Sequence, residues 1–174
     1  MKVKILGTGS IYSKSNCASV ILNDNILVDI GPGTVKQLLK ENYDLKQIDN
    51  ILITHLHSDH ILDFPSFIVN IEVLKIKHKI SIFSPKGTKE KLLSLLELVY
   101  GDYFKDFINN HVVFIEIYDN QLIDIDGNAV IVKNVNHPDI ESYGFIINSQ
   151  LGITGDTAMC NNVYNIFEEA QTII

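Results

Sequence analysis

Thr54-His55-Leu56-His57-Ser58-Asp59-His60 follows directly on the apolar run Ile51-Leu52-Ile53, so three imidazoles and a carboxylate crowd the end of what reads as a buried strand. A strand ending in such a loop fixes the loop's root and leaves its side chains free to close around an ion. His55 and His57 are two residues apart, so extended backbone points both the same way and lets both reach one ion. Asp59 and His60 follow as the chain turns away and can address a second ion close by. The helical H-E-x-x-H motif, with ligands four apart on one helix face, is a different arrangement. Imidazoles suit zinc first, and the carboxylate also admits manganese or iron, so zinc is the expected ion with the other two as alternatives.

Other residues are needed to complete such a site. His137 ends a strand pattern and precedes Pro138, which biases it toward an extended conformation with a defined side-chain direction, and it is the expected third ligand of the first ion. Asp156 stands in the glycine-flanked turn Gly155-Asp156-Thr157 after another strand and can bridge two ions. Asp29, at a strand end, either orients a ligand histidine or bonds local backbone amides. His78 and His111 lie in lysine-rich and asparagine-rich surroundings and are expected at the surface.

Outward from the histidine loop, the chain alternates short strands with helices. Lys2 to Leu6 is a strand running into Gly7-Thr8-Gly9. A dinucleotide fingerprint would need a third glycine where Tyr12 stands, so the stretch reads as a turn near a site. Ala18 to Leu22 and Asn25 to Ile30 form a hairpin around Asn23-Asp24-Asn25, and a helix follows through Lys40 with Thr34 as its cap. Asp63 is expected to cap the helix beginning Phe64-Pro65, and Thr88 one whose Leu92, Leu95, Leu96 and Val99 form a core stripe. Hairpins join Leu122–Ile125 to Ala129–Val135 and Tyr143–Asn148 to Leu151–Thr154, before a short helix and a strand beginning at Thr172. This order suggests a mixed α+β architecture with helices on its outer faces and the polar tripeptides at strand ends.

At 174 residues the chain suffices for one domain, 1–174, expected to bury about 70% of its unfolded surface. No apolar run approaches the roughly 20 residues that cross a bilayer, and Met1 to Leu6 lacks the apolar core of a signal peptide, so a cytoplasmic protein without a membrane partner is expected. Cys17 and Cys160, far apart and without C-x-x-C spacing, read as free thiols. The formal charge of −7 counts against gripping a phosphate backbone.

The runs Leu6-Gly7-Thr8-Gly9-Ser10, Val28-Asp29-Ile30-Gly31-Pro32-Gly33-Thr34 and Thr54 to His60, with His137 and Gly155-Asp156-Thr157, resemble the metallo-β-lactamase superfamily of hydrolases, and within it the ribonuclease Z and phosphodiesterase-like branch. The resemblance implies a four-layer αββα sandwich with two metal ions at one edge of the sheets. It implies His55, His57 and His137 on the first ion, Asp59 and His60 on the second, and Asp156 between them. Ribonuclease Z inserts a tRNA-gripping arm between the positions matching His137 and Asp156, where only 18 residues stand here. Nor does Ser13-Lys14-Ser15-Asn16 reproduce that enzyme's proline- and arginine-containing loop. Family members continue past the strand that Thr172 begins and carry a last histidine ligand there, whereas no histidine follows His137 here. The sandwich is therefore expected to be incomplete at its C-terminal end and its second ion to lack a ligand.

The paired ligand sets predict hydrolysis by a metal-activated water, with Asp59 as the catalytic carboxylate that orients the water or accepts its proton. The expected substrate is a small phosphodiester or related ester. Competing expectations are a degenerate metal-binding domain without turnover and an RNA-processing endonuclease, the latter disfavoured by the absent arm and acidic balance. β-Lactam hydrolysis is weaker still, since a fold does not fix a substrate. An exposed sheet edge at Ile174 makes self-association an expectation as well.

Overall fold

The computed structural model describes Met1–Ile174. β1 (Val3–Gly7), β2 (Ser19–Leu22) and β3 (Ile26–Val28) form an antiparallel meander. The chain continues through α1 (Thr34–Lys40), β4 (Asn50–Leu52), α2 (Ser58–Ile61), α3 (Phe64–Val73), β5 (Ile80–Ser84), α4 (Thr88–Tyr100), α5 (Lys105–His111) and β6 (Val112–Glu116). β3 to β6 are parallel neighbours, completing a six-stranded mixed sheet in sequence order. The second sheet has five strands. β7 (Leu122–Ile125), β8 (Asn128–Val135), β9 (Ser142–Ile147) and β10 (Leu151–Ile153) are antiparallel, and α6 (Asn161–Glu169) leads to β11 (Thr172–Ile173), parallel to β10.

The two-residue period of the strands sorts side chains into three apolar layers. Ile21, Leu27, Ile51 and Ile82 face α1, α3 and α4, packing with Val35, Leu38, Phe67 and Leu92. Their sequence neighbours Val20, Leu22, Val28, Leu52 and Phe83 face the second sheet and meet Val130, Val132, Phe145 and Ile147. On the far side of that sheet Val135 and Ile146 pack against Val163 and Ile166 of α6. Because both faces of β2, β3 and β4 are covered, all their residues are buried, which is why they read as unbroken apolar runs rather than alternating ones. The result is the αββα layering that the resemblance implied.

Polar cross-links tie the two sheets together at opposite ends. At one end Asp126, in the β7–β8 turn with φ 52°, accepts from the Asn25 amide at 2.9 Å and the Asn50 amide at 2.7 Å. At the other the Tyr143 N–H of β9 donates to the Thr54 carbonyl at 2.9 Å, at the root of the histidine loop.

Several local expectations give way to tertiary packing. Thr34 and Thr88 are the first helical residues rather than caps; the cap positions are Gly33 and Gly87, at φ 95° and 79°. Asp63 does precede α3, but its side chain makes no cap to that helix and instead accepts from the Val35 N–H of α1 at 2.8 Å. The α4 stripe is core only in its first two turns: Leu92 and Leu96 are buried, Leu95 is half-buried, and Val99 is exposed where the helix runs on to Gly101. Leu92→Ala is therefore expected to cost about 2–5 kcal/mol, and Val99→Ser to stay within about 0.5 kcal/mol. Urea unfolding of the two variants checks both values.

Candidate metal centre

Every expected ligand comes from a segment leaving the same end of the sandwich. The β4 strand ends in Ile53-Thr54-His55, β8 leads to His137, β10 to Asp156, and α2 carries Asp59 and His60. The donor atoms of His55, His57 and His137 lie within 4.8 Å of one another, and so do those of His55, His60 and Asp156. His55 is fully buried at the centre, its ring centroid 4.0–4.8 Å from those of His57, His60 and His137. His55 Nε2 and His57 Nδ1 lie 3.1 Å apart, within hydrogen-bond distance of each other.

Sequence reasoning gave His55 to one ion only, whereas it stands within reach of both sets. Asp156 joins the second set alone, and Asp59 joins neither. His78 and His111 are at the other end of the chain's network, His78 paired with Asp49 at 3.0 Å and His111 bonded to the His78 carbonyl at 3.1 Å.

Beneath the imidazoles lies a buried carboxylate. Asp29, 4% exposed, takes the Thr54 N–H on Oδ1 at 2.8 Å, and on Oδ2 the Thr54 hydroxyl at 2.8 Å and His60 Nδ1 at 2.7 Å. Of the two roles the sequence left open for Asp29, the first is realised, since it orients a histidine; the backbone amide it bonds is that of Thr54, 25 residues away, and not a local one. The Thr54 hydroxyl has one proton, which goes to Asp29, so its oxygen accepts from His55 Nδ1–H at 3.0 Å. That fixes the tautomer in which His55 Nε2 carries the free lone pair. His137 is held likewise, Nδ1 donating to the Pro138 carbonyl at 3.1 Å. Thr54 is the functional residue the sequence reading quoted without giving it a task; its place between a strand and the first histidine was the available signal.

The two buried histidines titrate in opposite directions. Burial pushes His55 down to about 3, helped by the neighbouring imidazoles and opposed by Asp156. Burial also works against protonation of His60, but the carboxylates of Asp156 and Asp29 outweigh it and raise His60 to about 10. The Asp156 contact, at 3.6 Å, is an ion pair longer than a hydrogen bond, so Asp29 at 2.7 Å is the closer support. Facing His60 in turn lowers Asp156. Without metal, His60 is thus an imidazolium between two carboxylates, and an ion binding at its Nε2 must displace a proton.

For the metal-free chain these shifts give opposite pH slopes. His60 holds its proton more tightly folded than unfolded, so its stabilisation is complete below about pH 6.5 and is lost as pH rises through about 10. His55 holds its proton less tightly folded, so stability falls as pH drops from about 6.5 toward 3. Melting temperatures measured in chelator are expected to decline on both sides, and Asp29→Asn to make the alkaline limb shallower. An unaltered limb in that variant would show that Asp29 does not hold His60 charged.

The chain is 32% identical over 154 residues to the ribonuclease Z of Pediococcus pentosaceus, covering 83% of this chain and 48% of that protein. It is 31% identical over 158 residues to the ribonuclease BN of Cronobacter sakazakii, covering 86% and 50%. The chain thus spans about half the length of these curated relatives. Among solved structures, the metallo-β-lactamase fold protein YhfI of Bacillus subtilis superposes with TM-score 0.76 at 19% identity, over 98% of this chain and 69% of that one. The short form of human tRNase Z does so with TM-score 0.78 at 24% identity, over 99% and 76%. No helix is long and apolar enough to cross a membrane. A family model described as "Anti-Pycsar protein Apyc1" matches residues 1–174, the whole of the chain. A chain of metallo-β-lactamase fold with this histidine cluster at its sheet ends therefore belongs to the Anti-Pycsar protein Apyc1 family.

Proposed function

We propose that this chain is a two-metal hydrolase acting on a small phosphodiester or related ester. The observation that carries the reading is the pair of donor sets sharing His55. Their chemistry fits the ions: three imidazoles on one side, two imidazoles and a carboxylate on the other, the donor types zinc takes. His55, His57 and His137 would hold one ion, and His60 and Asp156, with His55 at their side, the other. When bound, such ions polarise a phosphoryl oxygen and acidify water.

The protein's own groups do the rest. Asp29 and Thr54 keep the ring of His55 turned with Nε2 outward, and Asp29 does the same for His60 by accepting its Nδ1 proton. Asp59, half-buried and outside both donor sets, is free to orient the attacking water or accept its proton. The groove that opens beside His137 is lined by Asn134, Asn136, Ile140, Glu141, Cys160 and Asn161, among others, and contains no lysine. It offers amide hydrogen bonds but no positive charge, which favours a small substrate over a long phosphate backbone. RNA cleavage is the second reading, favoured by the names of the ribonuclease Z and ribonuclease BN relatives.

Elemental analysis is expected to find two equivalents of metal per chain, and a generic aryl phosphodiester to be hydrolysed in a chelator-sensitive way. One equivalent or none without turnover would establish the degenerate domain instead, and cleavage of a tRNA precursor in preference to the small ester would favour RNA. Asp59→Ala is expected to lower kcat by about 10²–10⁴-fold with the first ion still bound. Undiminished turnover in that variant would sink the role given to Asp59.

A further inference from the structure

His55 and His60 are anchored by different parts of the chain, and the anchor of His60 is a segment with no ligand in it. After Asp29 the backbone runs along α2, the four-residue turn that carries Asp59 and His60. Ile30 N–H donates to the His60 carbonyl at 2.8 Å, and the Ile30 carbonyl accepts from Asp63 N–H at 2.9 Å. One turn on, Val35 N–H donates to Asp63 Oδ2 at 2.8 Å. Between these bonds Gly31 lies directly under Asp59: a Cβ at position 31 would stand 1.6 Å from the Asp59 carbonyl oxygen, 2.6 Å from its carbon and 2.8 Å from the Cys17 Cβ. Gly31 does not have positive φ, unlike Gly33 at 95°, so its backbone conformation would accept alanine. What excludes a side chain is the contact alone, and two of the three atoms met are backbone, which yields only if α2 moves.

We infer that Ile30–Val35 is a clamp that sets the position of α2, with Gly31 and Asp63 as positioning residues for His60 and Asp59 and not for His55 or His137; His57, which caps α2 and whose carbonyl accepts from the His60 N–H at 3.1 Å, goes with the turn. The selectivity follows from the anchors. His55 is fixed by the end of β4 and by Thr54, and His137 by β8 and the Pro138 carbonyl. The bonds and contacts of Ile30–Val35 described above go to His60, Asp59 and Asp63 instead. Gly31→Ala lifts the turn from below, and Asp63→Ala releases its far end. Asp63→Asn keeps an acceptor for Val35 N–H and restores it.

The test uses the whole chain and two readouts. In metal-free protein, ¹⁵N-detected imidazole spectra should show the His60 signals displaced in Gly31→Ala and Asp63→Ala, with those of His55 and His137 at their wild-type positions and Asp63→Asn like wild type. In stepwise zinc titration, the second binding step should weaken about 10–100-fold and the first by less, since His55 and His137 keep their anchors. Unmoved His60 signals in the folded variants, or all four imidazoles moving together, would overturn the clamp. If Gly31→Ala does not fold, Asp63→Ala and its asparagine counterpart decide. The metal readout rests on the two-ion reading: a wild-type chain that takes up a single zinc ion refutes that reading, while the metal-free His60 signals still decide the clamp.

Discussion

A buried carboxylate must find hydrogen-bond donors or lose its charge, and Asp29 is the carboxylate to which the rest of this structure is fitted. It terminates β3 with φ 57°, a left-handed conformation that a non-glycine residue adopts at a cost of order 1–3 kcal/mol and that turns its side chain beneath the histidine loop. Three donors converge on it, two from Thr54 and one from His60. Through Thr54 its influence reaches His55, so one carboxylate orients two imidazoles that are driven to opposite protonation states, His55 by burial first and His60 by the carboxylates that outweigh burial. Ser19 steadies the same residue from behind, its hydroxyl donating to the Asp29 carbonyl at 2.9 Å.

The layered fold makes such a residue possible. Strands from both sheets end on the same side, and the apolar layer between them stops there, so polar loops from β3, β4, β8 and β10 meet over a dry floor. Loops on a rigid scaffold can hold reactive groups in a fixed relation while remaining open to solvent on one side. The exposure gradient shows it: His55 and His60 are buried, Asp59 and His137 intermediate, and His57 and Asp156 exposed. At the opposite end Asp126 and two asparagine amides close the gap between the sheets, so this cross-link and the histidine cluster occupy different ends of one sandwich.

Local sequence rules worked where the local interaction is also the one the fold uses. The hairpins expected around Asn23-Asp24-Asn25 and Asp126-Gly127 formed with left-handed residues at each turn, and the one expected around Ser149-Gln150 formed with its left-handed residues one position earlier, at Asn148 and Ser149. The helix caps did not, because Thr34 and Thr88 were read by nearest neighbour while glycines took the positive-φ positions before them. Asp63 is the clearest case. A side chain at the start of one helix that also reaches the start of another can serve either, and packing of α2 against the Ile30–Val35 segment gave it to α1.

The sequence by itself determined a mixed sheet with helices on its outer faces and a list of candidate donors, His55, His57, Asp59, His60, His137 and Asp156, as the chemistry left at strand ends; the four-layer order came from the family resemblance. Only the tertiary structure decided how those donors are shared. That His55 stands in both sets and Asp59 in neither, and that Asp29 lies beneath Thr54 and His60, are facts of how the folded segments meet, the Asp29 bonds joining residues 25 and 31 positions apart. Spacing along a chain measures which side chains can point together within one segment; it is blind to which segments are brought into contact, and that contact is what a buried charge and a close-packed glycine impose.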